Sequence, residues 1–173
     1  MDPLDTTPTR HQLAQRCAQL LQAQGQRVAV CESSAGGLIA AALVAVPGSS
    51  TFFAGGLVPY SLEARNRLLG VGPEALGQTR PCTEAYALLC ARQLRALLDC
   101  HWVLAETGAT GPSANPYGDP PGRACFAISG PAERTLGIAI ADAGRAANMA
   151  SFTTAALGLL VDVLQATTEN ARE

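Results

Sequence analysis

The sequence predicts an α/β fold: a three-layer α/β/α sandwich on a mixed, partly parallel sheet. Three observations predict it. Apolar runs of strand length alternate with amphipathic runs of helix length along the first two thirds of the chain, which places helices on the faces of parallel strands. Two short apolar runs, 123–129 and 134–141, then follow each other across Gly130-Pro131 and read as an antiparallel hairpin at the sheet edge. Finally, 48% of the 173 residues are hydrophobic and only 15% are charged, which excludes disorder and gives one domain a sizeable core.

Residues 1–8 are polar with two prolines and read as an N-terminal tail; 9–168 read as one domain. Residues 9–24 place Leu13, Cys17, Leu20 and Leu21 on one face of a helix that Gly25 ends. The first strand is 27–31, and an alanine-rich helix over 38–46 stops at Pro47-Gly48-Ser49-Ser50. Residues 51–60 read as a long strand in which Gly55-Gly56 marks a bulge or a close backbone approach. Ser61 caps a helix to residue 69 with Ala64, Leu68 and Leu69 inward, and a loop over 70–79 holds a short helix from Pro73. Thr83 caps the next helix, to residue 98, with Leu88, Leu89, Ala91, Leu94 and Leu97 inward. The run 101–106 is a central strand, and a loop rich in Pro, Asn and Gly fills 113–122. A last helix over 144–167 carries Ala156, Leu160, Val163 and Leu164 on one stripe. Trp102 and Phe126 read as core.

Composition limits what the chain can do. A formal charge of −2 leaves no basic footprint for nucleic acid. No apolar run reads as a membrane span and no signal pattern precedes the first helix, so the expected compartment is the cytoplasm. Six cysteines without a C-x-x-C pair read as reduced core thiols, with no metal and no cofactor expected. The chain contains no lysine: all 12 basic residues are arginines. A Walker A loop, a Schiff base and a serine–lysine dyad are therefore excluded, and no G-x-G-x-x-G supports a dinucleotide fold. The weakly charged, apolar composition also points to a homodimer, joined through helices such as 83–98 or the last one.

The bend Glu32-Ser33-Ser34-Ala35-Gly36-Gly37 joins the first strand to its helix. A helix N-terminus presents unpaired N–H groups and a partial positive charge, a ready site for an anion. Ser33 and Ser34 there can cap the helix, contact an anion or attack a substrate. Tyr60-Ser61 and Thr107-Gly108-Ala109-Thr110-Gly111 stand at two further strand ends, and in open α/β sheets such ends share one crevice. Glu32, Glu106 and Asp119 fall near it. His11 lies on the polar side of a helix and His101 opens a strand, with no Ser-His-Asp order.

In order and spacing these segments resemble the CinA C-terminal domain family, the nicotinamide mononucleotide (NMN) deamidases also called PncC. The family's E-S-C-T-G-G is matched by residues 32–37, its P-G-S-S by Pro47-Gly48-Ser49-Ser50, and its Y-S-N-E-A-K by Tyr60-Ser61-Leu62-Glu63-Ala64-Arg65. Its L-G-V is matched by Leu69-Gly70-Val71, its S/T-G-x-A-G-P by residues 107–112, and its late P-V-G by Pro120-Pro121-Gly122. The resemblance runs from about Leu13 to Leu164. It implies hydrolysis of the NMN carboxamide to nicotinic acid mononucleotide and ammonia, with a pyridine mononucleotide as the small-molecule partner. Carried over, Ser33 is the nucleophile, Ser34, Ser50, Tyr60, Thr107 and Gly108 line the site, Tyr60 is the candidate left to accept the serine proton in a chain without lysine, and Gly36 and Gly37 bring backbone amides close to the ligand. Arg145 then suits the 5′-phosphate. The chain departs from the pattern where the family's base lysine is Arg65, its second late arginine is Met149, its Cys-Thr is Ser34-Ala35, and the lysine before P-V-G is Asp119. Arg65 reads either as a surface arginine or as an anion clamp that has given up base catalysis; an arginine stays protonated. A catalytically silent pyridine-nucleotide binder is the alternative these departures raise.

Overall fold

The structure, a computed structural model, describes residues 8–170. The tail expected over 1–8 lies outside the described residues except for Pro8. Helix α1 (Arg10–Ala23) begins with a reciprocal capping box, in which the Thr9 hydroxyl accepts from the Gln12 N–H and the Gln12 side chain accepts from the Thr9 N–H. Next come β1 (Val28–Cys31), α2 (Leu38–Val44), a 3₁₀ turn (Ser49–Thr51) and β2 (Phe53–Leu57). Helices α3 (Leu62–Leu69), α4 (Pro73–Leu76) and α5 (Glu84–Leu98) lead to β3 (Trp102–Ala109), β4 (Arg123–Ser129), β5 (Arg134–Ala139) and α6 (Arg145–Asn170).

The five strands lie in the order β2-β1-β3-β4-β5. The first three are parallel, and β4 and β5 are added antiparallel, so the sheet is mixed as expected. Alternation along the strands splits the core in two. Val28, Val30, Trp102, Leu104, Phe126 and Ile128 pack against α1, α2 and α6. Ala29, Cys31, Val103, Ala105 and Ala127 pack against α5. That is the three-layer sandwich, and Trp102 and Phe126 are fully buried in it.

Several element boundaries differ from the sequence reading. β2 is half the expected length: Thr51 sits in the 3₁₀ turn with its hydroxyl donating to the Gly48 carbonyl, and pairing with β1 ends at Leu57 opposite Cys31. β3 runs three residues further than expected, because β4 pairs along all of it up to Ala109 opposite Arg123. Thr107 and Gly108 therefore belong to the strand. On α3 the inward stripe is Arg65 and Leu69, four residues apart, while Leu68 is 54% exposed. Leu97 is also exposed, near the C-terminal end of α5. Helix α6 is long and apolar enough to cross a membrane by length and composition, with a mean hydropathy of 1.4 over 18 residues, which the sequence reading overlooked. Its apolar stripe, including Phe152, Leu157, Leu160 and Leu164, is buried within the first core cluster.

Candidate active site

The parallel strands β1, β2 and β3 all end at one side of the sheet, where a cavity of about 590 Å³ opens. Ser33 and Ser34 line it from β1, Pro59 and Tyr60 from β2, and residues 107–111 from β3 and its extension. Arg65 of α3 and Arg145 of α6 complete the set of expected residues found there. Three expected residues lie elsewhere. Ser50 precedes β2, at the opposite end of the parallel strands, and is exposed. Gly36 packs under α6, where an added Cβ would stand 2.9 Å from Met149 Cε, and its φ of +66° suits glycine. Gly37 gives its N–H to Glu32 and is not among the cavity's lining residues.

The expected anion site at the start of α2 is filled from within the protein. Fully buried Glu32 accepts hydrogen bonds from the N–H groups of Gly37, Ile39 and Ala40 at 2.8–3.0 Å. The Leu38 N–H goes to the Ala35 carbonyl. A carboxylate of the chain thus takes the amides that a ligand phosphate would use. Glu106, 3% exposed on β3, does the same for the preceding bend. Its Oε2 accepts from the N–H of Ser33 at 3.0 Å and of Ala35 at 2.9 Å, and its Oε1 accepts from the Ser34 hydroxyl. Burial pushes both carboxyls above the ordinary range, and these hydrogen bonds pull them partly back. The sequence placed both acids near the site but showed nothing of how completely they occupy the bend.

Arg65 is a buried cation, 7% exposed, so the surface reading is overturned. Its Nε donates to the Val71 carbonyl at 3.0 Å, and the guanidinium carbon lies 5.7 Å from the Tyr86 ring centre. That stacking and one backbone bond let a charge sit under the cavity wall. Burial also drives the Tyr86 phenol upward, keeping it neutral. At the mouth, Arg145 reaches across two walls, donating to the Gly111 carbonyl at 2.7 Å and to the Tyr60 hydroxyl at 3.0 Å. Tyr60 itself is 64% exposed.

Sequence reasoning missed much of the far wall: Pro81, Cys82 and Tyr86, then Ser113, Asn115 and Tyr117 of the 113–122 loop. Asp119 fixes that loop. It accepts a bidentate pair from Arg80 at 2.7 and 3.0 Å and a bond from the Asn115 amide at 3.0 Å, with Arg123 Nε 3.3 Å away. The Arg80 pairing holds the Asp119 carboxyl down at about 2. An acidic residue before Pro120 was the available signal. Among the described residues no group of three His, Cys, Asp or Glu side chains could hold a metal.

The model of the CinA C-terminal domain matches residues 10–164. The chain belongs to the CinA C-terminal domain family. A CinA-like protein of Synechococcus sp. (strain CC9902) is 39% identical over 118 residues, covering 68% of this chain and 28% of that protein. A CinA-like protein of Acidobacterium capsulatum is 39% identical over 116 residues, with 67% and 28% covered. The chain thus matches little more than a quarter of the length of these curated relatives. Among solved structures, a competence or damage-inducible protein from Enterobacter asburiae superposes with a TM-score of 0.84 at 27% identity, over 91% of this chain and 99% of that one. A CinA superfamily protein from Enterobacter cloacae gives 0.85 at 29% identity, over 95% and 98%. This CinA domain shares its fold with both along nearly its whole described length.

Proposed function

We propose that this CinA domain is an amidohydrolase that cleaves the carboxamide of nicotinamide mononucleotide, releasing nicotinic acid mononucleotide and ammonia. One observation supports this above the rest: the hydroxyls of the β1–α2 bend share a single cavity with two arginines and Thr107, in a chain of this family. Amide hydrolysis needs an attacking oxygen, a proton acceptor and donors for the oxyanion. The bend supplies the hydroxyl, with Ser33 the one the family pattern designates. Arg65 offers a fixed positive charge for the developing oxyanion or a ligand carboxylate, and Arg145 at the mouth suits the phosphate. With Glu32 and Glu106 occupying the amides around α2, the ligand's negative charge falls to these two cations.

Ammonia release from NMN, and from nicotinamide as the form without ribose phosphate, tests the reading. NMN is expected to yield ammonia and nicotinic acid mononucleotide, and to raise the melting temperature far more than nicotinamide does. At 100 times its dissociation constant NMN adds about 2.7 kcal/mol to stability. If NMN neither reacts nor shifts melting, the mononucleotide reading is wrong. Arg65 in place of the family lysine favours one second reading, a binder that does not turn over. A melting shift without ammonia would select it.

A further inference from the structure

We propose that Ser34 and Glu106 form a hydroxyl–carboxylate pair that supplies the nucleophile and the general base of this site, in place of a lysine-activated Ser33. This rests on the amidohydrolase reading and assigns its reacting groups. The chain has no lysine, and Arg65 is a guanidinium committed to the Val71 carbonyl and the Tyr86 ring. Among the described residues the Ser33 hydroxyl makes no hydrogen bond, while its N–H donates to Glu106. The Ser34 hydroxyl, by contrast, donates directly to Glu106 Oε1. Ser34 is 5% exposed and lines the cavity beside Thr107 and Gly108. A Cβ at position 108 would stand 2.7 Å from Ser34 Oγ, so glycine there leaves this oxygen its room.

The backbone bonds to the other carboxylate oxygen fix the pair. Glu106 Oε2 takes the Ser33 and Ala35 N–H groups, which locks the bend and leaves Oε1 to the hydroxyl alone. The titratable groups facing Glu106 are Glu32 and Cys31, both at the end of β1; Glu32 raises the proton affinity of Glu106. In the reaction, Ser34 Oγ attacks the amide carbon as its proton passes to Oε1, giving a tetrahedral oxyanion. Collapse breaks the C–N bond, and the Glu106 proton leaves with the nitrogen as ammonia. Water then attacks the resulting ester, giving a proton to Glu106, and the acid departs as that proton returns to Ser34 Oγ. The sum is amide plus water to acid plus ammonia.

Glu106→Gln isolates the base. Its amide oxygen can keep both backbone bonds at the Oε2 position, while its nitrogen can donate to Ser34 Oγ, so the bend holds and only the proton acceptor is lost. A fluorophosphonate reports the nucleophile without any assumption about substrate, because the attacking Oγ bonds to phosphorus as fluoride leaves and the base takes the proton. The expected result is labelling at Ser34, located by fragment mass spectrometry, with a rate that rises with pH as Glu106 ionises. Glu106→Gln should lower both labelling and ammonia release by about 100-fold or more while keeping the wild-type melting temperature within a few degrees. Labelling at Ser33, absence of labelling, or unchanged rates in Glu106→Gln would each overturn the pair. Labelling at Ser34 with no ammonia from NMN supports the pair and removes NMN hydrolysis as the reaction. Ammonia release that survives Ser34→Ala removes the pair and keeps that reaction.

Discussion

At Arg65 the guanidinium is committed twice, to the Val71 carbonyl through Nε and to the face of Tyr86. A lysine on the same stem would reach the cavity with a single ammonium, lose the planar stack and forgo the Nε bond. If Arg65 served only as a damaged copy of a lysine base, Arg65→Lys would raise turnover. The packing argues the opposite. Arg65→Lys is expected to lower kcat/KM by about 10- to 100-fold, the range for one lost hydrogen bond from a charged group. Steady-state kinetics check this, and a faster variant would return the base role to position 65. Arg65 stands four residues before Leu69 and so shares its face, but spacing alone does not tell a buried clamp from a surface arginine on so short a helix. Convergence of Ser33, Tyr60 and Thr107 was legible, since strand order and strand ends follow from the alternation of elements. Ser50 falls at the far end of the strands from the cavity, which a matched motif could not show, because it records order along the chain but not which end of a strand it occupies.

At the scale of the element, the β1–α2 connection is a backbone bend held by two buried carboxylates rather than a pocket for a ligand anion. Periodicity located the strand and the helix, but no pattern in the sequence shows which backbone amides a carboxylate will take. Glu32 is the stronger structural member, because it satisfies three N–H groups at the start of α2. Glu32→Gln keeps the shape and turns one acceptor oxygen into a donor facing an N–H. It is expected to cost about 1–3 kcal/mol, seen as a lower urea midpoint with an unchanged m-value. The pH dependence has a definite sign. Burial raises the folded-state pKa of Glu32 and Glu106 above the ordinary 4.5. Between that value and the raised one the folded protein holds more protons than the unfolded chain, so stability falls as pH rises through this window. Urea midpoints measured across the window should slope downward in the wild type and less steeply in Glu32→Gln. A rising slope would contradict the assignment.

Across the whole molecule, a set of exposed aliphatic side chains flanks one edge of the sheet. β2 is an edge strand, paired only with β1. Val44 at the end of α2, Val58 just after β2, and Leu97 and Leu98 at the end of α5 are all exposed, and a Cβ on Gly55 of β2 would lie 3.8 Å from Leu98. An unprotected edge flanked by aliphatic side chains is a surface that proteins usually cover. β5 is the other edge strand, but it carries no such group of exposed aliphatic side chains. A second copy of the chain is therefore expected on the β2 side, with α5 contributing through Leu97 and Leu98. Sedimentation at tens of micromolar should give a dimer, and Leu98→Glu combined with Val44→Glu should give a folded monomer, since neither side chain is in the core. A wild-type monomer at that concentration would refute the dimer. A dimer indifferent to both substitutions would move the interface elsewhere. Because Tyr60 and Leu62 follow β2 directly, the monomeric variant should also be assayed for ammonia release. Retained activity there would show that each chain completes its own cavity.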